Sequence, residues 1–286
     1  MSNPRLSIIV TTYNRPQLLQ RSVESALAQT INDLEVVVVD DGSAEPAKLP
    51  ECARLKTIRL PVNQGVAAAR NIGATAAQGR WIAHLDDDDQ LLPHFAEVSL
   101  DALTRTELPE PVAVISGLEM INKDGQLTRT HLPPTLPRGS HFGLEEIDRR
   151  HSFFSKQSLV VDRQVLLAIG GFDPSFTAFT YTELFLRLNS VCSILGLPVV
   201  TYRQFLHTGS RISNDTARRQ FNLKRLMSKH ESVFNAHRRM FATFACRHAS
   251  MLYDLGRRRE AFLSLCRAAH LHPIQTASFI RRRLRW

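Results

Sequence analysis

Apolar positions along this chain come in two rhythms, short unbroken runs and helical repeats, and the two alternate. Leu6 to Thr12 is a brief β-branched apolar run, the pattern of a parallel strand buried on both faces. Asn14-Arg15-Pro16 ends it, and Pro16 suits the first turn of a helix reaching about Gln29. Leu34 to Val39 is a second strand and Thr57 to Leu60 a third. Gly65 to Ala77 reads as an Ala-rich helix closed by Gly79. Trp81 to Leu85 is a fourth strand, with a helix starting near Pro93. Strand-helix units of this length predict a doubly wound, mostly parallel sheet flanked by helices.

The pattern shifts after the next strand, Val112 to Glu119. Asn122-Lys123-Asp124-Gly125 is a hairpin turn, and the Pro- and Gly-rich stretch His131 to Gly143 is an irregular loop. Leu159 to Val161 is a strand, followed by a short helix capped by Asp162 and stopped at Gly170-Gly171. Tyr181 to Leu195 reads as helix and Leu197 to Tyr202 as strand. From Ala217 onward the chain reads as helical with Arg-rich faces. The expected division is therefore an α/β domain over 1–216 and a basic helical extension over 217–286. Leu255 to Pro273 is similar to one half of a tetratricopeptide unit, but a lone copy cannot bury its own face, so it belongs to the extension.

Charge sharpens this division. The formal net charge is +9, yet residues from Ala217 onward hold 16 Lys and Arg against 3 Asp and Glu, while the preceding part holds 20 against 24. A tail ending Arg281-Arg282-Arg283-Leu284-Arg285-Trp286 favours an anionic surface such as phospholipid headgroups or a lipid pyrophosphate. It lacks the interleaved aromatics of a nucleic-acid binder. The four cysteines (Cys52, Cys192, Cys246, Cys266) have neither pairing nor metal-ligand spacing, which fits a reducing compartment. With no apolar leader and no membrane-length apolar run, the expected location is cytoplasmic, with peripheral contact at the inner membrane face left open.

The chemistry concentrates in three loops that follow predicted parallel strands: Thr11 to Arg15, Asp40 to Ser43, and Asp86-Asp87-Asp88-Asp89. Such loops converge on one crevice in an open α/β sheet. Four adjacent carboxylates repel one another unless a cation or full solvation relieves them. A hard divalent metal facing a phosphate is one reading, and a solvated acidic turn is the other. Arg70, on the helix after Asn63-Gln64-Gly65, reaches the same crevice as a phosphate partner.

These pieces resemble the inverting glycosyltransferases of family 2, which have the GT-A fold, a Rossmann-like and mostly parallel α/β sheet. The matching stretches are Ser7 to Pro16, Val39 to Ser43, Asn63-Gln64-Gly65 with Ala68 to Gly73, and Leu85 to Asp89. Gly170 to Asp173 and Tyr202-Arg203 with His207 match more loosely. The resemblance implies that Thr11, Tyr13 and Arg15 line a uridine pocket, that Asp41 accepts from the uracil, and that Arg70 lies near the nucleotide. It further implies that Asp86 and Asp87 sit at the nucleotide, with Asp86 and Asp88 as the D-x-D pair, Asp88 nearest Mg²⁺ or Mn²⁺. His207 is placed near the diphosphate, although a loop histidine satisfied by backbone reads equally well. The implied partners are a nucleotide-sugar donor and a glycan or lipid-linked acceptor.

One element departs from that pattern. Where relatives carry an acidic pair, this chain reads Thr180-Tyr181-Thr182-Glu183, and a phenol with a pKa of about 10 is a poor base at neutral pH. Glu183 matches the later acidic position, yet it lies about 200° around a helix from residue 181, and Thr180-x-x-Glu183 is also a capping box. Glu183 is thus either the catalytic base or a helix cap. An alternative expectation follows, a glycosyltransferase-like protein that binds nucleotide or glycan, or scaffolds a partner, without turnover.

Overall fold

The computed structural model describes residues 3–206 and 215–283. The described residues form two compact units, the first from 3–142, 147–175 and 184–206, the second from 143–146, 176–183 and 215–283. The helical unit therefore draws in two short stretches that precede the extension in the sequence.

The first unit is built on one nine-stranded sheet. Its strands are β1 (Leu6–Thr12), β2 (Leu34–Asp40), β3 (Leu55–Arg59), β4 (Trp81–Asp86), β5 (Gln90–Leu91), β6 (Val112–Ile121), β7 (Leu127–His131), β8 (Val160–Asp162) and β9 (Ser193–Phe205). They lie in the order β3-β2-β1-β4-β8-β6-β9-β5, with β7 on β6. β3, β2, β1 and β4 are mutually parallel, and β6 is parallel to β9. β8 runs antiparallel to both β4 and β6, so those two strands point the same way. The mostly parallel sheet is the one the alternating pattern predicts.

Helices α1 (Pro16–Leu27), α2 (Val66–Ala76), α3 (Phe95–Arg105), α4 (Arg163–Ala168) and α5 (Thr180–Val191) follow in chain order. On one face of the sheet Leu6, Ile8, Val10, Val36 and Val38 pack with Leu19 and Val23 of α1 and Phe95 of α3, all buried. Burying each such side chain contributes roughly 1.5–3 kcal/mol. On the other face α2 lies close enough that a Cβ at Gly73 would sit 2.4 Å from Ile9 Cγ2. Helix α4 starts and stops as its sequence dictates. The Asp162 side chain accepts from the amides of Gln164 and Val165, and Gly170 (φ 82°) closes the C-terminus with Gly171 N donating to Leu166 O.

Three expectations change. α5 ends at Val191, four residues before the expected Leu195, and β9 is longer than Leu197 to Tyr202 at both ends. The apolar run from Val191 to Leu197 suits a buried helix or a buried strand equally. Pairing decides it, because Ser193 N donates to Pro111 O and Ile194 exchanges backbone hydrogen bonds with Leu136. The Asn122–Gly125 hairpin is present, with Gly125 at φ 77°, but it delivers an unexpected strand, β7, whose first four residues are exposed and carry no apolar alternation. β5, two residues long, is also unforeseen and pairs antiparallel with β9.

The second unit contains α6 (Thr216–Lys229), α7 (Glu231–Ala236), α8 (Arg238–Asp254), α9 (Arg258–Leu271) and α10 (Pro273–Arg283). α8 and α9 form a hairpin turned by Gly256 (φ 76°), with Gly256 N donating to Tyr253 O and Arg257 N to Leu252 O, a Schellman motif. Small side chains bring the helices together. Ala242, Ala245 and Cys246 of α8 meet Ala268 of α9, backed by Leu265, Leu271 and Phe279. No helix among the described residues is long and apolar enough to cross a membrane.

Candidate functional site

Strand register sets the site. Thr11 pairs with Val39 on one side and Asp86 on the other, and Thr12 pairs with Asp40, so β1, β2 and β4 end level. Their loops share one edge, the edge where open α/β sheets bind ligands. The first loop needs Asn14 at φ 55°, a conformation asparagine tolerates. Asn14 N donates to Ser43 Oγ at 2.9 Å, and Asn14 Oδ1 accepts from Ala44 N at 2.9 Å, which joins the first loop to the second. Within the second loop, buried Asp40 accepts from Ser43 N and Ala47 N.

Asp41, expected to receive the uracil, spends both carboxylate oxygens on the entry to α2. Oδ1 accepts from Gln64 N at 2.7 Å and Oδ2 from Gly65 N at 2.8 Å. Amides opening a helix are otherwise unpaired, and an anion there is favoured by the helix dipole. Thr11 is buried, whereas Tyr13 is about half exposed at the rim.

The four carboxylates of the third loop part company. Asp87 turns inward, accepting from Thr12 Oγ1 at 2.8 Å and from Arg15 Nη1 at 3.2 Å. Burial outweighs both donors and pushes its carboxyl up to about 6, helped by the charges of Asp88 and Asp86. Asp86, Asp88 and Asp89 each bring a carboxylate oxygen to within 4.8 Å of the others. Arg15 Nη1 also lies 3.4 Å from Asp88 Oδ2. Asp89 is buried, taking the Tyr202 hydroxyl at 2.9 Å and Phe205 N at 3.1 Å. Its carboxyl is held well above the usual range, first by burial and then by the charges of Asp86 and Asp88.

Arg70, almost wholly buried on α2, pairs with Asp86 Oδ1. Its guanidinium stands 5.0 Å from the Phe172 ring centre, and that ring meets His84 edge-on at 5.1 Å. Phe172 is fixed in turn by Asn71, which donates from Nδ2 to Phe172 O at 2.7 Å and accepts Phe172 N at 2.8 Å. Burial, then the Arg70 charge, lowers His84 to about 3, so it is a neutral ring under the Arg70–Asp86 pair.

The sequence reading missed Asp89 as a third carboxylate of the cluster, and it missed Asn71 and Phe172 as the brace of Arg70. The four-Asp run and the Gly170-Gly171-Phe172 match were the available signals. Asp173 does what a turn Asp does, accepting from Ser175 N at 2.9 Å. His207 lies outside the described residues.

Glu183 belongs to the helical unit and is fully buried. Lys229 Nζ donates to its Oε1 at 2.6 Å, and His230 Nε2 lies 3.2 Å from the same oxygen. The carboxylate thereby pins the C-terminal end of α6.

Comparison with known proteins adds the following. The family model described as "Glycosyl transferase family 2" matches residues 7–166. An uncharacterized glycosyltransferase of Haemophilus influenzae is 27% identical over 220 residues, 75% of this chain and 73% of that protein. The GalNAc(5)-diNAcBac-PP-undecaprenol beta-1,3-glucosyltransferase of Campylobacter jejuni is 30% identical over 180 residues, 60% of this chain and 56% of the relative. Among solved structures, S. aureus TarS 1-349 in complex with UDP-GlcNAc superposes with a TM-score of 0.65 at 17% identity, covering 96% of this chain and 83% of that one. That likeness is one of fold, and the fold is GT-A.

Proposed function

Because the chain belongs to glycosyltransferase family 2, we propose that it moves a sugar from a nucleotide donor, a UDP-sugar, to a hydroxyl of a lipid-linked or polymeric glycan acceptor, with inversion. The observation that carries this reading is the convergence of Asp86, Asp88 and Asp89 at the level ends of β1, β2 and β4, beside two arginines. The name of the Campylobacter relative, which specifies an undecaprenol-diphosphate glycan, supports the acceptor class.

The three carboxylates suit a hard divalent cation in donor type and spacing; burial is the main cause of the raised Asp89 carboxyl, and the further push from Asp86 and Asp88 marks negative charge that a cation would relieve. Asp86, Asp88 and Asp89 would hold Mg²⁺ or Mn²⁺, which supplies a Lewis acid for the charge developing on a departing diphosphate. Arg15 and Arg70 add fixed positive charge on the same rim, and Arg70 is pre-oriented by Phe172 and Asn71. Asp41 holds the α2 entry at the same sheet edge, where Thr11 and Tyr13 of the first loop would line the donor's base. Calorimetry with UDP and Mn²⁺ tests the reading. Metal-dependent binding that disappears in Asp88→Asn is expected, and absence of UDP binding with and without Mn²⁺ overturns it.

One observation favours a second reading. The carboxylate matching the family's later acidic position, Glu183, is buried against Lys229 and His230, and Tyr181 replaces the expected base. A nucleotide-binding protein without turnover would look the same. Tight UDP binding with neither donor hydrolysis nor transfer across an acceptor panel selects that alternative.

A further inference from the structure

The outward face of the helical unit breaks the usual rule for surface helices. At about 100° per residue, α9 directs Ala261, Leu265 and Ala268 into the hairpin core. Its opposite side should be polar. Instead Leu263 stands 58% exposed there, and Phe262, 64% exposed, stands about 90° round the helix from the core stripe, with Arg259 between the two. The next helix continues the theme with Ile274, 77% exposed, and exposed Arg281. On α6, Phe221 is 61% exposed and lines a groove of about 390 Å³ together with Lys224, Arg225 and Arg257.

Ion pairing leaves the excess charge around these apolar side chains positive. Glu260 is spent on Arg257 and Glu231 on Arg267. Lys224, Arg258, Arg259 and Arg281 make no ion pair among the described residues. The positive field also reaches inward, where Lys224, Arg257 and Arg267 add to burial in holding His248 below the usual imidazole range.

We propose that the exposed apolar and basic side chains of α6, α9 and α10 dock the protein on an anionic lipid bilayer, with Phe262, Leu263 and Ile274 at the acyl boundary and the arginines at the phosphates. Apolar side chains on one face with basic residues beside them are the requirement for lying in an interface. A second copy of this chain fits less well, because it would oppose two cationic faces. A nucleic acid would leave the three large apolar side chains in water. None of these residues belongs to the carboxylate site, so vesicle binding and UDP binding fail independently.

The test is co-sedimentation of the full chain at 0.1 M NaCl with vesicles of phosphatidylcholine, alone or with about one third phosphatidylglycerol. Each basic residue near an anionic surface strengthens partition about fivefold. The anionic vesicles should bind the protein at least about tenfold more tightly, and Lys224→Glu/Arg258→Glu/Arg259→Glu should remove that gain. Phe262→Ser/Leu263→Ser should weaken binding several-fold and abolish what survives at 0.5 M NaCl. A charge-matched control in the sheet unit, Lys48→Glu/Lys56→Glu/Lys123→Glu, should stay within about threefold of the parent. If the apolar pair impairs folding by circular dichroism, Phe262→Trp replaces it, and a blue shift of the new indole's emission on anionic vesicles is expected. Equal losses in the two triple variants would reduce the effect to net charge and overturn the proposal. So would an unshifted emission from the Phe262→Trp variant, a dimer in light scattering that depends on Phe262, or duplex DNA binding without vesicle binding.

Discussion

Replacing Asp86 by Asn should destabilise the sheet unit more than removing its partner, Arg70. The reason is an asymmetry in exposure: the Arg70 side chain is 5% exposed and that of Asp86 29%. Asp86→Asn takes the carboxylate from a guanidinium buried against Phe172 with a neutral His84 close by, and breaking a buried ion pair from that side costs about 3–5 kcal/mol. Arg70→Met leaves a carboxylate that water partly reaches, at about 1–3 kcal/mol, with loss of the cation–π contact contributing at the upper end. The double variant Arg70→Met/Asp86→Asn should cost little more than Arg70→Met alone, giving a coupling energy in a double-mutant cycle close to the whole Asp86→Asn cost, about 3 kcal/mol or more. Urea unfolding followed by Trp81 fluorescence, in a Trp286→Phe background, reports on the strand that carries Asp86. Additive single effects, or Arg70→Met costing more than Asp86→Asn, would refute this account of the pair.

Further outcomes follow from the same geometry. Asp41→Asn should lower stability by about 1.5–3 kcal/mol in urea melts without ligand, since an amide offers one acceptor oxygen where two amides, Gln64 N and Gly65 N, now donate to a carboxylate. Gly171→Ala should cost at least about 1–3 kcal/mol by thermal melting, because φ is 62° and the new Cβ would lie 2.3 Å from Asn71 Oδ1. His248 Nε2 lies 2.7 Å from Gln220 Nε2, and its pKa is lowered by burial and by Lys224 and Arg257. The unfolded chain therefore binds the extra proton first, so stability is full above about pH 6.5 and falls on acidification through the lowered folded value. His248→Gln should flatten that acid limb, and an unchanged limb would exclude His248 as its source.

Much of this fold was legible because its central parallel strands β1, β2 and β4 are largely apolar runs and its helices carry Pro16, Gly65, Asp162 and Gly170 as punctuation. β5 and β7 were not, since two residues carry no period and an exposed edge strand needs no apolar alternation. The α5–β9 boundary depended on long-range pairing with Pro111 and Leu136, which no local window contains. In the site, the loops and the acidic run were readable, but the division of labour among the four aspartates was not. Whether a carboxylate points to Thr12, to Tyr202 or to its neighbours is decided by strands far off in sequence. Glu183 was ambiguous for the same reason, its partners Lys229 and His230 being 46 and 47 residues away.

The brace formed by Asn71 and the Gly170-Gly171-Phe172 turn has an evolutionary corollary. Any side chain at position 171 would overlap the very amide that clasps Phe172, so the two sites, a hundred residues apart, constrain one another. Across homologues, positions 71 and 171 should change together, and lineages that abandon the pair should also be those that relinquish the arginine at position 70.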